Sequence, residues 1–315
     1  LRFARHLTGR PRVAVMDWCY HGTVDEALAV LDEAGHVVPR PGALGPQADV
    51  AATTAVVPFN DLDALDERLA QGDVACLLME PALTNIGIVL PADGYSSAVR
   101  EITRRHGVLL VVDETHTMCA GPGGCTAAWG LEPDLLVVGK AIGGGIPCAA
   151  YGMSAEVAGR LSGPMLGHEI DVAGVGGTLT GSALALAAIR ATLSTALRDE
   201  DFAVAVPLAE RFTAGVAGAI EAHEMPWHVQ RLGCRAEYWF CPPPPDGAAA
   251  AAAVDDELEG FLHLWCLNRG VLLTPFHNMA LFCPAHTEAD VDRHTEVFSA
   301  ALDALLDSSA PDALT

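Results

Sequence analysis

The chain of 315 residues contains seventeen arginines and one lysine, Lys140, which lies between the apolar run Leu135-Leu136-Val137-Val138-Gly139 and the glycines Gly143, Gly144 and Gly145. Arginine replaces lysine wherever a surface cation is wanted, but its guanidinium stays charged and cannot act as an amine nucleophile. A lysine can lose its proton and form an imine. A compositional bias toward arginine that left one lysine behind would produce the same count, so the surroundings of Lys140 matter. Asp113 directly follows the apolar run Val108-Leu109-Leu110-Val111-Val112, and Glu114, Thr115 and His116 come next. Such a run reads as a buried parallel strand that delivers polar residues at its carboxyl end.

Ligands of open α/β sheets bind beyond the carboxyl ends of the strands. Leu135 to Val138 reads as a second strand with Lys140 at its own end, so a carboxylate and an amine converge from neighbouring strand tips. Asp113 could instead cap a helix or pair with a surface arginine, but its place after five apolar residues argues for a buried, ligand-facing carboxylate. Pyridoxal phosphate requires this pairing. The lysine holds the aldehyde as an imine, and the carboxylate keeps the pyridine nitrogen protonated so that the ring can take up electrons.

The stretches Val112-Asp113-Glu114-Thr115 and Gly139-Lys140-Ala141-Ile142-Gly143-Gly144-Gly145-Ile146-Pro147 resemble the cofactor region of the class III pyridoxal-phosphate aminotransferases, particularly the branch containing glutamate-1-semialdehyde aminomutase. Cys19-Tyr20-His21-Gly22 resembles the aromatic-His-Gly turn whose ring stacks on the cofactor, and Met79-Glu80-Pro81 resembles the Glu-Pro strand end near the active site. Gly176-Gly177-Thr178 resembles the turn that reaches the cofactor phosphate of the neighbouring subunit, and Ala285 to Asp290 resembles the start of the family's last helix. The resemblance spans nearly the whole chain. It implies a fold-type I α/β architecture, with a mostly parallel central sheet flanked by helices and a smaller C-terminal α+β domain, assembled as a homodimer.

It also implies an activity: transfer of an amino group between an amino acid or amine and a keto or aldehyde acceptor, through a Schiff base on Lys140. Asp113 is then the partner of the pyridine nitrogen, and Tyr20, His21, Glu80, His116 and Thr178 join Asp113 and Lys140 around the cofactor. Alternatives stay open at several of these positions. Tyr20 could be a core aromatic and Glu80 a surface residue at a strand end. His116 could approach the cofactor's phenolic oxygen or merely satisfy a backbone group. Thr178 could bind phosphate near a helix start or serve as an ordinary cap, a role Ser182 also offers. An intramolecular aminomutase would use the same residues.

The family's Ser-Gly-Thr phosphate loop and the segment before it have no counterpart, since the chain opens at Leu1 to Arg10 in what resembles the back half of a helix. The expectation is therefore a piece of a longer polypeptide, or a chain completed by another; a non-catalytic fragment or partner subunit is the third functional reading. For the substrate, Leu232 to Phe240 alternates as a strand with Arg235 near its start, where a guanidinium fork could grip a carboxylate. The competing assignment for Arg235 is an ion pair with Glu237 on the same strand face. His277 and Asn278 lie in a turn that borders the same pocket, with no role assigned.

Around these residues the chain alternates buried strands with helical segments, such as Asp61 to Ala70 and Gly94 to His106, up to about Leu197. A long helix from Asp201 to His223 and shorter strands and helices follow, which divides the chain into a large domain, 1–197, and a small one, 198–315. Pro242 to Pro245 and the alanines after them read as a stiff loop entering a helix that continues through Leu262. A formal charge of −22 disfavours nucleic acid and anionic membranes and suits an acid-surfaced cytoplasmic protein. Nine cysteines without a Cys-x-x-Cys pair suggest reduced thiols and no structural zinc; no second pair completes a metal set with His116 and Cys119. The longest uninterrupted apolar runs fall short of the ~20 residues that span a bilayer.

Overall fold

Five parallel strands and one antiparallel edge strand form the main sheet of the computed structural model, which describes residues 1–44, 49–161 and 176–309. In chain order the strands are β1 (Arg12–Met16), β2 (Ala29–Leu31), β3 (Val37–Pro39), β4 (Thr54–Val57), β5 (Val74–Met79), β6 (Leu109–Asp113), β7 (Leu135–Val138), β8 (Ala150–Met153), β9 (His228–Leu232), β10 (Arg235–Trp239) and β11 (Met279–Leu281). The main sheet runs β4-β1-β5-β6-β7-β8, with only β7 and β8 antiparallel. β5 and β6 are buried at every residue, as continuous Val/Leu runs covered on both faces must be. Helices Leu62–Leu69 and Tyr95–Arg105 supply part of that cover, burying Leu65, Leu69, Val99 and Ile102 against the sheet.

A second core gathers around the three-stranded antiparallel sheet β11-β10-β9. Helix Asp199–Ala222 lays Leu208, Phe212, Val216 and Ile220 into it, and helix Glu288–Ser309 adds Val297, Phe298 and Leu302. By length and composition alone Asp199–Ala222 is apolar enough to cross a membrane. In the fold it is a core helix. Three acidic residues in its first turn and the Arg211–Asp292 ion pair at 2.6 Å mark its exposed face.

Two elements differ from the reading of the sequence. The stretch Leu232 to Phe240 is not one strand: it is the end of β9, a two-residue turn and β10, because Gly233 adopts a left-handed φ of 58°. The helix expected through Leu262 is two helices, Gly247–Ala251 and Asp256–Leu267. Asp255 restarts the second by accepting the Leu258 amide at 3.0 Å, a local capping bond that outcompetes continuation of the alanine helix.

The β9–β10 turn is also tied to the segment that follows β6. The Cys234 amide donates to the Cys119 carbonyl at 2.9 Å, and a Cβ at Gly233 would run into the backbone of Cys119 and Ala120. Replacing Gly233→Ala should therefore destabilise the chain by about 2–4 kcal/mol, from left-handed strain and overpacking together. A urea titration of both proteins checks this; equal midpoints would show that the turn has room to yield.

Candidate active site

The strand order reverses around β1, which has β4 on one side and β5 on the other, and a crevice opens at the carboxyl ends of the strands there. Tyr20 follows β1, Glu80 follows β5, Asp113 ends β6 and Lys140 follows β7. Four neighbouring strands thus each deliver one of the expected residues to the same edge. Lys140 leaves its strand with a positive φ of 44°, and Gly144 and Gly145 continue the turn with φ of 56° and 96°. A non-glycine residue in that region is strained, and such strain concentrates at functional sites.

These tips border a cavity of about 610 Å³, within the range of small-molecule sites. Tyr20, Thr115, His116, Lys140 and Arg235 lie along it, and Leu197, Phe202, Ala205, Met279, Leu281 and Phe282 form an apolar wall. Tyr20 is held by the turn after β1. The Arg40 guanidinium sits over the rings of Trp18 and Tyr20, 5.5 and 5.9 Å from their centroids, and donates to the Cys19 carbonyl at 2.5 Å.

Asp113 is 7% exposed and could not remain charged there without compensation. Its Oδ2 pairs with Nδ1 of His21 at 2.8 Å, and its Oδ1 accepts the Thr115 amide at 2.9 Å. Burial pushes the carboxyl up, but the hydrogen bond and charge of His21, with Thr115, more than offset this and hold it below the ordinary 3.8. Burial likewise opposes a charged His21, yet Cys19, Asp113 and Glu80 together carry it well above the ordinary 6.5. His21 therefore stands behind the carboxylate and orients it. Its expected place among the cofactor contacts becomes an indirect one in this geometry.

Lys140 is depressed below its ordinary range by burial and by Arg235, against the opposing pull of Asp113 and Glu80. Its Nζ lies 2.5 Å from Nε2 of His116, and Nδ1 of His116 lies 2.8 Å from Oγ1 of Thr84, which donates in turn to Oε2 of Glu80. Burial, first, and then the charges of Lys140 and Arg235 hold His116 down at about 3, so it is a neutral imidazole. Glu80 is 3% exposed, is raised by burial, and also accepts the Tyr20 amide at 3.4 Å.

Arg235 faces the cavity but is already engaged. One guanidinium nitrogen donates to Oε2 of Glu237 and to the Thr84 carbonyl, both at 2.7 Å, and His277 reaches the other Glu237 oxygen at 3.2 Å. The ion pair weighed against carboxylate recognition is present. Asn278 is fully buried, its main chain receiving the Tyr238 amide. Thr178 is exposed, in the turn before helix Ala183–Thr195, and does not line the cavity; Ser182 is the side chain that caps that helix.

The residues that reading the sequence missed are Thr84 and Glu114. Thr84 lies four residues past Glu80 in a loop pinned by the Leu83–Val89 bridge, and nothing in its neighbourhood marks it. Glu114 is 1% exposed and does not serve the cavity. It accepts the amides of Cys125 and Thr126 and the hydroxyls of Thr117 and Thr126, fastening the segment after β6.

The donor set fits pyridoxal phosphate. Each Asp113 oxygen has one protein partner and a second lone pair for a ring N–H. Lys140 supplies an amine of lowered proton affinity on the same cavity, and Tyr20 an aromatic face.

The His21–Asp113 pair sets a pH signature. Asp113 contributes stability above 3.8 that is lost as pH falls through its depressed folded value, and His21 contributes stability below 6.5 that is lost as pH rises through its elevated one. Wild type should therefore lose stability as pH climbs above 6.5. His21→Gln should lose much less over that climb, starting about 3–5 kcal/mol lower because Asp113 is left buried alone. Urea midpoints across pH check this; parallel pH profiles would refute the pair.

A family model described as aminotransferase class III matches residues 1–302. Glutamate-1-semialdehyde 2,1-aminomutase of Chloroflexus aggregans is 34% identical over 305 residues, covering 93% of this chain and 68% of that protein. Among solved structures, a glutamate-1-semialdehyde aminomutase variant from Pseudomonas aeruginosa in complex with PMP is 46% identical with a TM-score of 0.93, covering 96% of this chain and 68% of that one. An omega-transaminase from Sphaerobacter thermophilus is 28% identical with a TM-score of 0.84, covering 96% and 70%.

Proposed function

Because the chain belongs to the class III aminotransferases, we propose that it moves an amino group from an amine or amino acid to a keto or aldehyde acceptor, with pyridoxal 5′-phosphate held by Lys140 and Asp113. The observation that carries this reading is the delivery, from adjacent strand tips, of a low-affinity amine that lines the cavity and of a buried, compensated carboxylate directly before Thr115 and His116, which line the same cavity. When bound, the cofactor supplies an aldehyde that condenses with amines and a ring that draws in an electron pair.

The chain's residues do the rest. Asp113, oriented by His21, holds the proton on the ring nitrogen, and Tyr20 offers its face to one side of the ring. Lys140 is the group that takes a proton from the substrate carbon and returns it, a task its depressed proton affinity suits. The apolar wall from Leu197 to Phe282 lines one side of the cavity in which that transfer takes place.

That wall also points to the donor. With Arg235 committed to Glu237 and Thr84, the cavity suits an amine carrying an apolar chain better than one carrying a second carboxylate. The aminomutase relatives support a second reading, in which the amino group returns to an adjacent carbon of the same molecule. Release of a free carbonyl product separates the two, since an aminomutase retains its intermediate.

In this reading two copies assemble, with Thr178 serving the partner's cofactor. Its exposure away from the cavity supports that, as do Leu184 and Leu186, exposed on a helix with no buried residue. The two separate sheets, one built within 1–197 and the other within 198–315, support a division into those two domains.

Two measurements test the proposal. The chain with pyridoxal phosphate should show a visible absorption band that an amino donor bleaches. Lys140→Arg should lose both the band and turnover, the latter by roughly 10⁴-fold or more, although the charge is kept; a band that survives in that variant would sink the assignment. Along a series of straight-chain primary amines, kcat/KM should rise about fourfold per added methylene, the ratio set by about 0.8 kcal/mol of burial each. A preference for donors with a second carboxylate would instead return Arg235 to substrate recognition.

A further inference from the structure

The hydrogen bonds around Lys140 fix their own direction. Thr84 has one hydroxyl proton, and it donates that proton to Oε2 of Glu80. Toward Nδ1 of His116, 2.8 Å away, the same oxygen can only accept, so Nδ1 carries the imidazole proton. A neutral imidazole protonated at Nδ1 has its lone pair at Nε2, and that lone pair faces Nζ of Lys140 at 2.5 Å. The run from amine to carboxyl is unbroken. Its far end is shut away from solvent, with Glu80 3% and Thr84 0% exposed.

We propose that His116, Thr84 and Glu80 form a proton relay for Lys140. The inference rests on the assignment of Lys140 as the reacting amine and adds where its proton goes. A proton passes from Nζ of Lys140 to Nε2 of His116, the Nδ1 proton of His116 passes to Oγ1 of Thr84, and the Thr84 hydroxyl proton passes to Oε2 of Glu80. One N–H bond is lost at Lys140 and one O–H bond is gained at Glu80; no electrons are exchanged, and the reverse sequence returns the proton. Lys140 thereby becomes a neutral base without releasing its proton to water.

The surrounding charges bring the two ends closer. Asp113 and Glu80 favour the charged lysine, while burial and Arg235 disfavour it. Burial and Asp113 raise Glu80 toward its protonated form, against His21, Thr84 and the Tyr20 amide. His116, facing Lys140, Arg235, His277 and Asp113, stays neutral and passes a proton without keeping one. Arg235 acquires a purpose here, because its bond to the Thr84 carbonyl at 2.7 Å fixes the middle of the relay.

The first test uses ¹⁵N-histidine NMR on the full chain without cofactor at neutral pH, the His116 signals being assigned by their loss in His116→Gln. Wild type should show the Nδ1–H tautomer. Thr84→Val should lose it and Thr84→Ser restore it. The second follows a single turnover of the loaded enzyme with an amino donor in H₂O/D₂O mixtures. Wild type should give a curved proton inventory, and Thr84→Val a linear one with a rate lower by roughly 10²-fold.

Glu80→Gln keeps an oxygen for the Thr84 hydroxyl but cannot take up a proton, so it should keep the tautomer and lose both the curvature and the rate. An Nε2–H tautomer in wild type, or normal kinetics in Glu80→Gln, would overturn the relay. Loss of the visible band with the tautomer intact would instead count against the cofactor reading.

Discussion

A carboxylate buried at the end of a central strand has to be compensated from outside its own strand, and the site is organised around how Asp113 meets that requirement. β6 cannot supply a cation, because its remaining residues are leucine and valine packed on both faces. The charge is met by His21 from the turn after β1 and by the amide of Thr115. Pairing Asp113 with His21 draws the β1 turn over the strand ends, and this places Tyr20 beside the cavity and its amide within reach of Glu80. Breaking that pair would loosen one wall of the cavity as well as one ion pair.

Lys140 obeys the opposite constraint. Its amine must be able to give up its charge, so it lies among groups that pull in both directions: carboxylates at Asp113 and Glu80, and Arg235 with burial against them. The two reacting positions are thus tuned apart by their environments, Asp113 toward permanent charge and Lys140 toward neutrality, the division of labour that a proton-transfer site needs. His116 lies between Lys140 and Thr84 as a neutral imidazole. Arg235 tells the same story from the C-terminal side: as a guanidinium buried beside Glu237, it serves first to hold the loop of Thr84 against β10.

Much of this was legible in the residues. The continuous apolar runs of β5, β6 and β7 carry the parallel-sheet signal because both faces are covered, and a polar residue directly after such a run has to emerge at the strand's carboxyl end. That logic placed Glu80, Asp113 and Lys140 at one edge. It failed at Gly233, where alternation continues across a turn that depends on a left-handed residue and close backbone contact with Cys119. It also could not find Thr84, which acquires a role only through groups brought to it by His116, Arg235 and the bend after β5.

The sequence by itself determined the parallel sheet, the solitary amine and the carboxylate that accompanies it, because burial on both faces and the chemistry of lysine against arginine are written in composition and local order. Tertiary structure alone decided which nitrogen of His116 faces Lys140, that Arg235 grips the Thr84 carbonyl and His277 the Glu237 carboxylate, and that His21 supports Asp113 from behind. Those choices depend on distances of 2.5–3.2 Å between residues dozens to more than a hundred positions apart. No local pattern encodes such distances; they follow from the register of β1, β5, β6 and β7 and from the way the C-terminal core packs against the crevice at their ends.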